Sequence, residues 1–135
     1  MPRPPRVLPA MDDTGAFFWM SGADGRLRFL RCSECSYFIH PPAPYCPRCG
    51  GLRAAPEPVA GRGKLYSYTV NHQPWDGTDE PYIIGVVTIE EQPDLRLLTN
   101  LVDVTTDDVR IGMAVEVVFE DHTPVHIPLF RPTAP

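Results

Sequence analysis

The chain has 135 residues, 43% of them apolar and 10% aromatic, which is the composition of a folded protein and not of a disordered one. One domain or two very small ones fit that length, with roughly 68% of the unfolded surface available for burial. No apolar run approaches the ~20 residues of a membrane-spanning helix and Met1–Ala10 lacks the apolar stretch of a secretory signal, so a cytoplasmic protein with no membrane partner is expected.

The net charge of −5 is unevenly divided. Residues 1–64 carry nine Lys/Arg against five Asp/Glu, and residues 65–135 carry three against twelve. Two structural units with different surfaces are implied, and the acidic second half disfavours a nucleic-acid partner, whose phosphates need clustered Lys and Arg.

Residues 1–10 are rich in Pro and Arg and read as a tail or linker. Asp12-Asp13-Thr14 before Phe17-Phe18-Trp19-Met20 predicts a helix over residues 13–21, stopped by Gly22 and Gly25. Arg26–Arg31 alternates and predicts a strand. Cys32–Cys49 is irregular, and Gly50–Gly61 reads as a connection. Lys64–His72, Tyr82–Ile89, Leu95–Val102 and Ala114–Glu120 are β-branched and aromatic, bounded by turn residues, with a weaker fifth strand at Val125–Phe130. Asp107–Gly112 reads as one helical turn or a tight loop. Short strands at this spacing predict a small sandwich or barrel.

Cys32-x2-Cys35 and Cys46-x2-Cys49, ten residues apart, carry the strongest chemical signal. Each C-x2-C turn aims two sulfurs at one point, and two turns complete a tetrahedron of thiolates suited to one structural Zn²⁺. Disulfides, a redox C-x-x-C and an iron–sulfur cluster are the competing readings. They are set back by the absence of a visible secretion signal, by the doubled pair and by the lack of a βαβ pattern. Four thiolates leave no open coordination position for catalysis. His40, between the pairs, reads as a bystander, and Arg31 and Arg48 flank the cluster as candidate charge partners.

Catalytic constellations are few, and there is no nucleophile elbow, P-loop or fifth cysteine. His72 with Asp76 or Asp79 is a candidate acid–base pair in a Trp-containing loop. His122 and His126 read as structural. Lys64, Tyr66 and Tyr68 share one face of a regular strand, where the aromatics could stack bases, although core or interface roles are the plainer reading.

Phe18-Trp19, Gly25-Arg26-Leu27, Arg31-Cys32-x2-Cys35, Pro41-Pro42, Cys46-Pro47-Arg48-Cys49-Gly50, the run Gly61–Val70, Pro81-Tyr82, Ile111–Val115 and Pro128–Phe130 occur in order. This series resembles a bacterial and archaeal family of zinc-ribbon plus OB-fold proteins long catalogued as a domain of unknown function, over residues 11–132. The resemblance implies a mainly β chain, with an N-terminal helix over 11–25, a rubredoxin-like zinc ribbon over 26–60 and a five-stranded OB-fold barrel over 61–135. It further implies a non-catalytic subunit or domain that binds a thiolase-fold enzyme acting on acyl-CoA. One setting is the hydratase subunit that partners a lipid-transfer-protein-like aldolase in steroid side-chain degradation. On that reading Phe17, Phe18 and Trp19 are the interface anchors, and Arg26, Arg28, Arg53 and Arg62 are candidate contacts to coenzyme A phosphates. The alternative from another class is a single-stranded nucleic-acid-binding module.

Overall fold

A computed structural model describes residues 7–73 and 80–133. The N-terminal helix is shorter than its sequence suggests. Asp12 accepts from the amides of Thr14 (3.1 Å) and Gly15 (2.6 Å), so its side chain closes a turn instead of a first helical turn. The helix α1 spans Ala16–Met20 and passes into a 3-10 turn at Ser21–Asp24, which Gly25 ends with φ 80°. Gly22 does not stop the helix. It lies under Phe119 and His126, where a side chain has no room.

A three-stranded antiparallel sheet follows in the order β2-β1-β3, with β1 at Arg28–Cys32, β2 at Phe38–Ile39 and β3 at Ala54–Pro58. Strand β1 begins two residues later than the alternation of Arg26–Arg31 implies. Strand β3 was not expected, because Ala-Ala-Pro-Glu-Pro has neither alternation nor β-branched residues. It forms as an edge strand pairing β1 from Arg28↔Pro58 to Cys32↔Ala54, the position in a sheet that tolerates proline.

The closed barrel is built from β4 (Arg62–Asn71), β5 (Tyr82–Ile89), β6 (Arg96–Leu101), β7 (Ala114–His122) and β8 (Val125–Pro132) in the order β4-β5-β6-β8-β7. All five lie within two residues of the strands read from the sequence. Residues 107–112 form turns. The β6–β8 contact is the parallel one, a single bridge at Leu101↔Phe130. Strand β5 alternates strictly, with Ile83, Gly85, Val87 and Ile89 inward. Gly63 lies where β4 passes between β5 and β7; a Cβ there would stand 2.2 Å from the Thr88 carbonyl oxygen, so the closure requires glycine.

One core joins the three parts: Phe18 from the helix, Leu27, Phe29 and Phe38 from the ribbon, and Leu65, Val87, Ile89, Leu97, Leu101, Val115 and Phe130 from the barrel. Polar bonds reinforce the seam between ribbon and barrel. The Gln92 side chain accepts from the Phe38 amide (2.8 Å) and donates to its carbonyl (3.0 Å), as a neighbouring strand would. Tyr37 donates to Asp94 (2.5 Å) and the Ala60 amide donates to Glu91 (2.7 Å). No helix among the described residues is long and apolar enough to cross a membrane.

Candidate metal centre and partner surface

The two cysteine turns are built alike. The Ser36 amide donates to the Cys32 carbonyl (3.0 Å) and the Gly50 amide to the Cys46 carbonyl (2.8 Å). The Cys32 amide donates to Tyr37 and the Cys46 amide to Gly51, both at 2.8 Å. The residue after each second cysteine is left-handed, Ser36 at φ 67° and Gly50 at φ 77°. Glycine adopts that conformation freely, whereas Ser36 holds it by its place in the turn. Amides also point at sulfur, from Glu34 to Cys32 (3.4 Å) and from Gly51 to Cys49 (3.3 Å).

These turns bring Cys32, Cys35, Cys46 and Cys49 together, with all four sulfurs within 4.8 Å of one another. Cys32–Cys49 and Cys35–Cys46 are 3.6 Å apart and all four are free thiols, so no disulfide joins them. A tetrahedron with ~2.3 Å zinc–sulfur bonds has edges of about 3.8 Å, so the donor set fits one zinc ion. The thiols titrate unevenly. The Gly51 amide pulls Cys49 down, but the neighbouring sulfurs and burial outweigh it and push the thiol up to about 12. Burial raises Cys46, yet the amides of Cys49 and Arg48 and the adjacent sulfurs hold it at about 7. Sulfurs this close oppose a shared negative charge, and a divalent cation removes that opposition.

Arg31 and Arg48 act differently from simple counterions. Arg31 donates to the Ser36 carbonyl (2.8 Å), pairs with Glu57 and lies over the Phe38 ring, so it braces the first turn. Arg48 lies over Tyr37, with 5.7 Å to the ring centre. His40 is not among the clustered donors. Its ring packs on Phe18 and Phe29, each 5.1 Å between centres, and burial lowers its pKa to about 4. That shift has a consequence for stability. The unfolded ring titrates near 6.5, so the neutral, buried form contributes fully above that pH. The contribution is lost as pH falls from 6.5 towards 4, by about 3 kcal/mol in total. A His40→Leu variant is expected to lose less thermal stability than the parent between pH 7 and 5; equal losses in a melting comparison would contradict this account.

The remaining candidates are dispersed. Phe18 is buried in the core, with Trp19 edge-on against it at 5.0 Å, while Phe17 and Trp19 are half-buried. Trp19 lines a groove of about 420 Å³ with His40, Pro41, Leu98, Ile127 and Leu129. Leu98 is 69% exposed there. Arg28 is engaged by Asp24 (2.9 and 2.7 Å), and that pairing holds the Asp24 carboxyl at about 2. Arg26, Arg53 and Arg62 are exposed. Arg28 and Arg53 stand at opposite ends of the β1–β3 pairing, so the four arginines do not form one cluster.

His72 is exposed, and Asp76 and Asp79 lie outside the described residues. His122 bonds Glu120 (2.7 Å) and His126 lies 3.8 Å from Asp121, both on the β7–β8 hairpin. Lys64, Tyr66 and Tyr68 do not share a face. A bulge between Leu65 and Ser67 resets the alternation, placing Lys64 opposite Thr88 and Tyr68 opposite the inward-facing Gly85. Tyr66 instead stacks under Arg96, whose guanidinium is 4.0 Å from the ring centre. The Gln92 and Asp94 seam contacts were not legible in the sequence, where Gln-Pro-Asp reads as a turn.

Residues 13–53 match the family described as the ChsH2 rubredoxin-like zinc ribbon domain, and residues 56–120 the ChsH2 C-terminal OB-fold domain. The solved Ltp2-ChsH2(DUF35) aldolase superposes with a TM-score of 0.84 at 35% identity, covering 94% of this chain and 100% of that one. The chain belongs to the DUF35 family. It is 36% identical over 99% of its length to a probable enoyl-CoA hydratase alpha subunit of Thermomonospora curvata. It is 35% identical over 58% of its length to the benzoylsuccinyl-CoA thiolase subunit BbsA of Thauera aromatica. This DUF35 chain spans 42% of the first of these relatives and 56% of the second. Its zinc ribbon, OB-fold barrel and four-cysteine centre for one zinc ion are those of the family.

Proposed function

We propose that this DUF35 chain is a non-catalytic accessory unit of a thiolase-fold enzyme acting on acyl-CoA, which it stabilises and whose acyl-CoA channel it helps to shape. The observation that carries the reading is the full-length likeness to the DUF35 chain of an aldolase complex, supported by a relative that is a subunit of a thiolase. The metal centre agrees, because four sulfur donors saturate zinc and leave it a structural role. A steroid side-chain aldolase is the specific setting favoured here, in the cytoplasm.

The docking surface in this proposal is the Trp19–Leu98 groove. Phe18 sits behind it as the wedge that fixes the helix, and Phe17 and Trp19 present the accessible aromatic area. Exposed Arg26, Arg53 and Arg62 are the arginines with charge available for coenzyme A phosphates, Arg28 being paired. Co-expression with the thiolase-fold enzyme encoded nearest its gene is expected to yield a stoichiometric complex. Trp19→Ala and Leu98→Glu should each weaken it about tenfold or more, as centrally placed apolar anchors do. Leu98 is exposed, so Leu98→Glu leaves the fold intact. Absence of a complex, or full affinity in both variants by calorimetry, would remove the reading.

A further inference from the structure

Strand β4 carries an edge that no described strand or helix covers. Its start pairs with β7 from Arg62↔Glu116 to Lys64↔Ala114, and Leu65 exchanges bonds with Met113 (3.0 Å) and Gly112 (2.7 Å). From Tyr66 to Asn71 the ladder continues to β5 alone. Every second residue there turns its N–H and C=O outward, with no described strand to meet them. Tyr66, Ser67, Tyr68 and Thr69 are all exposed, uncharged and suited to β-structure. Proteins guard such edges with charges, prolines or a covering element; residues 67–71 carry no charge or proline, and no described element lies over them.

The charge beside the edge is specific. Arg62 and Lys64, at the start of β4, make no ion pair among the described residues, and Arg96 lies over the Tyr66 ring on the same outer row as Lys64 and Thr88. Arg62 and Lys64 border an open cleft of about 910 Å³ that also includes Tyr66, Ile111 and a single acid, Glu90. In a barrel half that is otherwise strongly acidic, this is a local excess of positive charge.

We propose that the outer edge of β4, Tyr66–Asn71, is a strand-addition site for an extended peptide segment whose acidic end lies against Arg62, Lys64 and Arg96. Ladder bonds to the β4 backbone supply binding that tolerates sequence, and the cations select the acidic end. A second copy of this chain is a poorer occupant. Six residues of edge pairing bury far less than the ~1,200 Å² of a stable interface. A single nucleic-acid strand would use the tyrosines and cations but leave the backbone edge unpaired.

The site does not depend on the thiolase-fold partner, and its test omits that enzyme. A random dodecapeptide display library is panned on the zinc-loaded chain, and the recovered peptides are synthesised. Alternating β-branched or aromatic residues with Asp or Glu at one end are expected. Bound peptide should slow amide exchange within Tyr66–Asn71, and Lys64→Glu should weaken binding about tenfold, less so in high salt. Failure to recover peptides, recovery of neutral or basic ones, or protection elsewhere would overturn the proposal. So would tighter binding of a dodecamer of deoxythymidine with shifts at Tyr66 and Tyr68, which would make the surface one for nucleic acid.

Discussion

Cys46→Ser is expected to empty the metal centre and disorder the two cysteine turns, lowering zinc from one per chain to near zero. Cys46 is buried, and its thiol is the more acidic of the two whose titration the cluster moves far. Small zinc modules draw about 10–16 kcal/mol from metal binding, as much as a whole domain's net stability. The ribbon has little else of its own: β2 is two residues long, and the apolar cluster around the sulfurs is small. Amide resonances from Cys32 to Gly51 should collapse toward random-coil positions. Cys49→Ser should do less, because Cys49 is exposed and water can take the vacated position. Acidification should mimic the buried variant, since protons compete for thiolate ligands. Retained zinc with a dispersed ribbon spectrum in Cys46→Ser would contradict this account of the centre.

The sequence revealed the metal centre fully and the packing around it only in part. Cysteine spacing constrains sulfur positions directly, because a two-residue turn has few conformations. The barrel strands were legible for a similar reason: strict alternation in Tyr82–Ile89 is a local property that survives folding. Strand β3 was not, since Ala54–Pro58 is a strand only by virtue of the β1 edge it pairs with. The bulge in β4 was hidden too. Nothing in Leu-Tyr-Ser-Tyr marks an extra residue, and its effect, moving Tyr68 away from the face of Lys64, depends on how β5 pairs opposite. Phe17-Phe18-Trp19 illustrates the same limit. Three adjacent aromatics announce a contact, but only the fold determines that Phe18 turns to the core while Trp19 borders a groove.

Phe29→Ala tests whether helix, ribbon and barrel form one cooperative unit, and an early, single, much lower melting transition is expected. Phe29 is fully buried near the start of β1, with its ring 5.9 Å from Phe18 and edge-on to His40. Truncating a buried phenylalanine costs about 3–5 kcal/mol through lost transfer energy and the cavity left behind. For a chain of this size that is a fall of roughly 10–20 °C in Tm. The cavity would open beneath α1, a five-residue helix too short to persist without its tertiary contacts, so the helix should fray first. The Trp19 groove would lose its shape with it, and partner affinity should fall although Phe29 itself is inaccessible. Were the ribbon an independent module, the barrel would keep its own transition and calorimetry would show two. The core shared by Phe18, Phe29, Phe38 and Phe130, together with the Gln92–Phe38 bonds across the seam, argues for one.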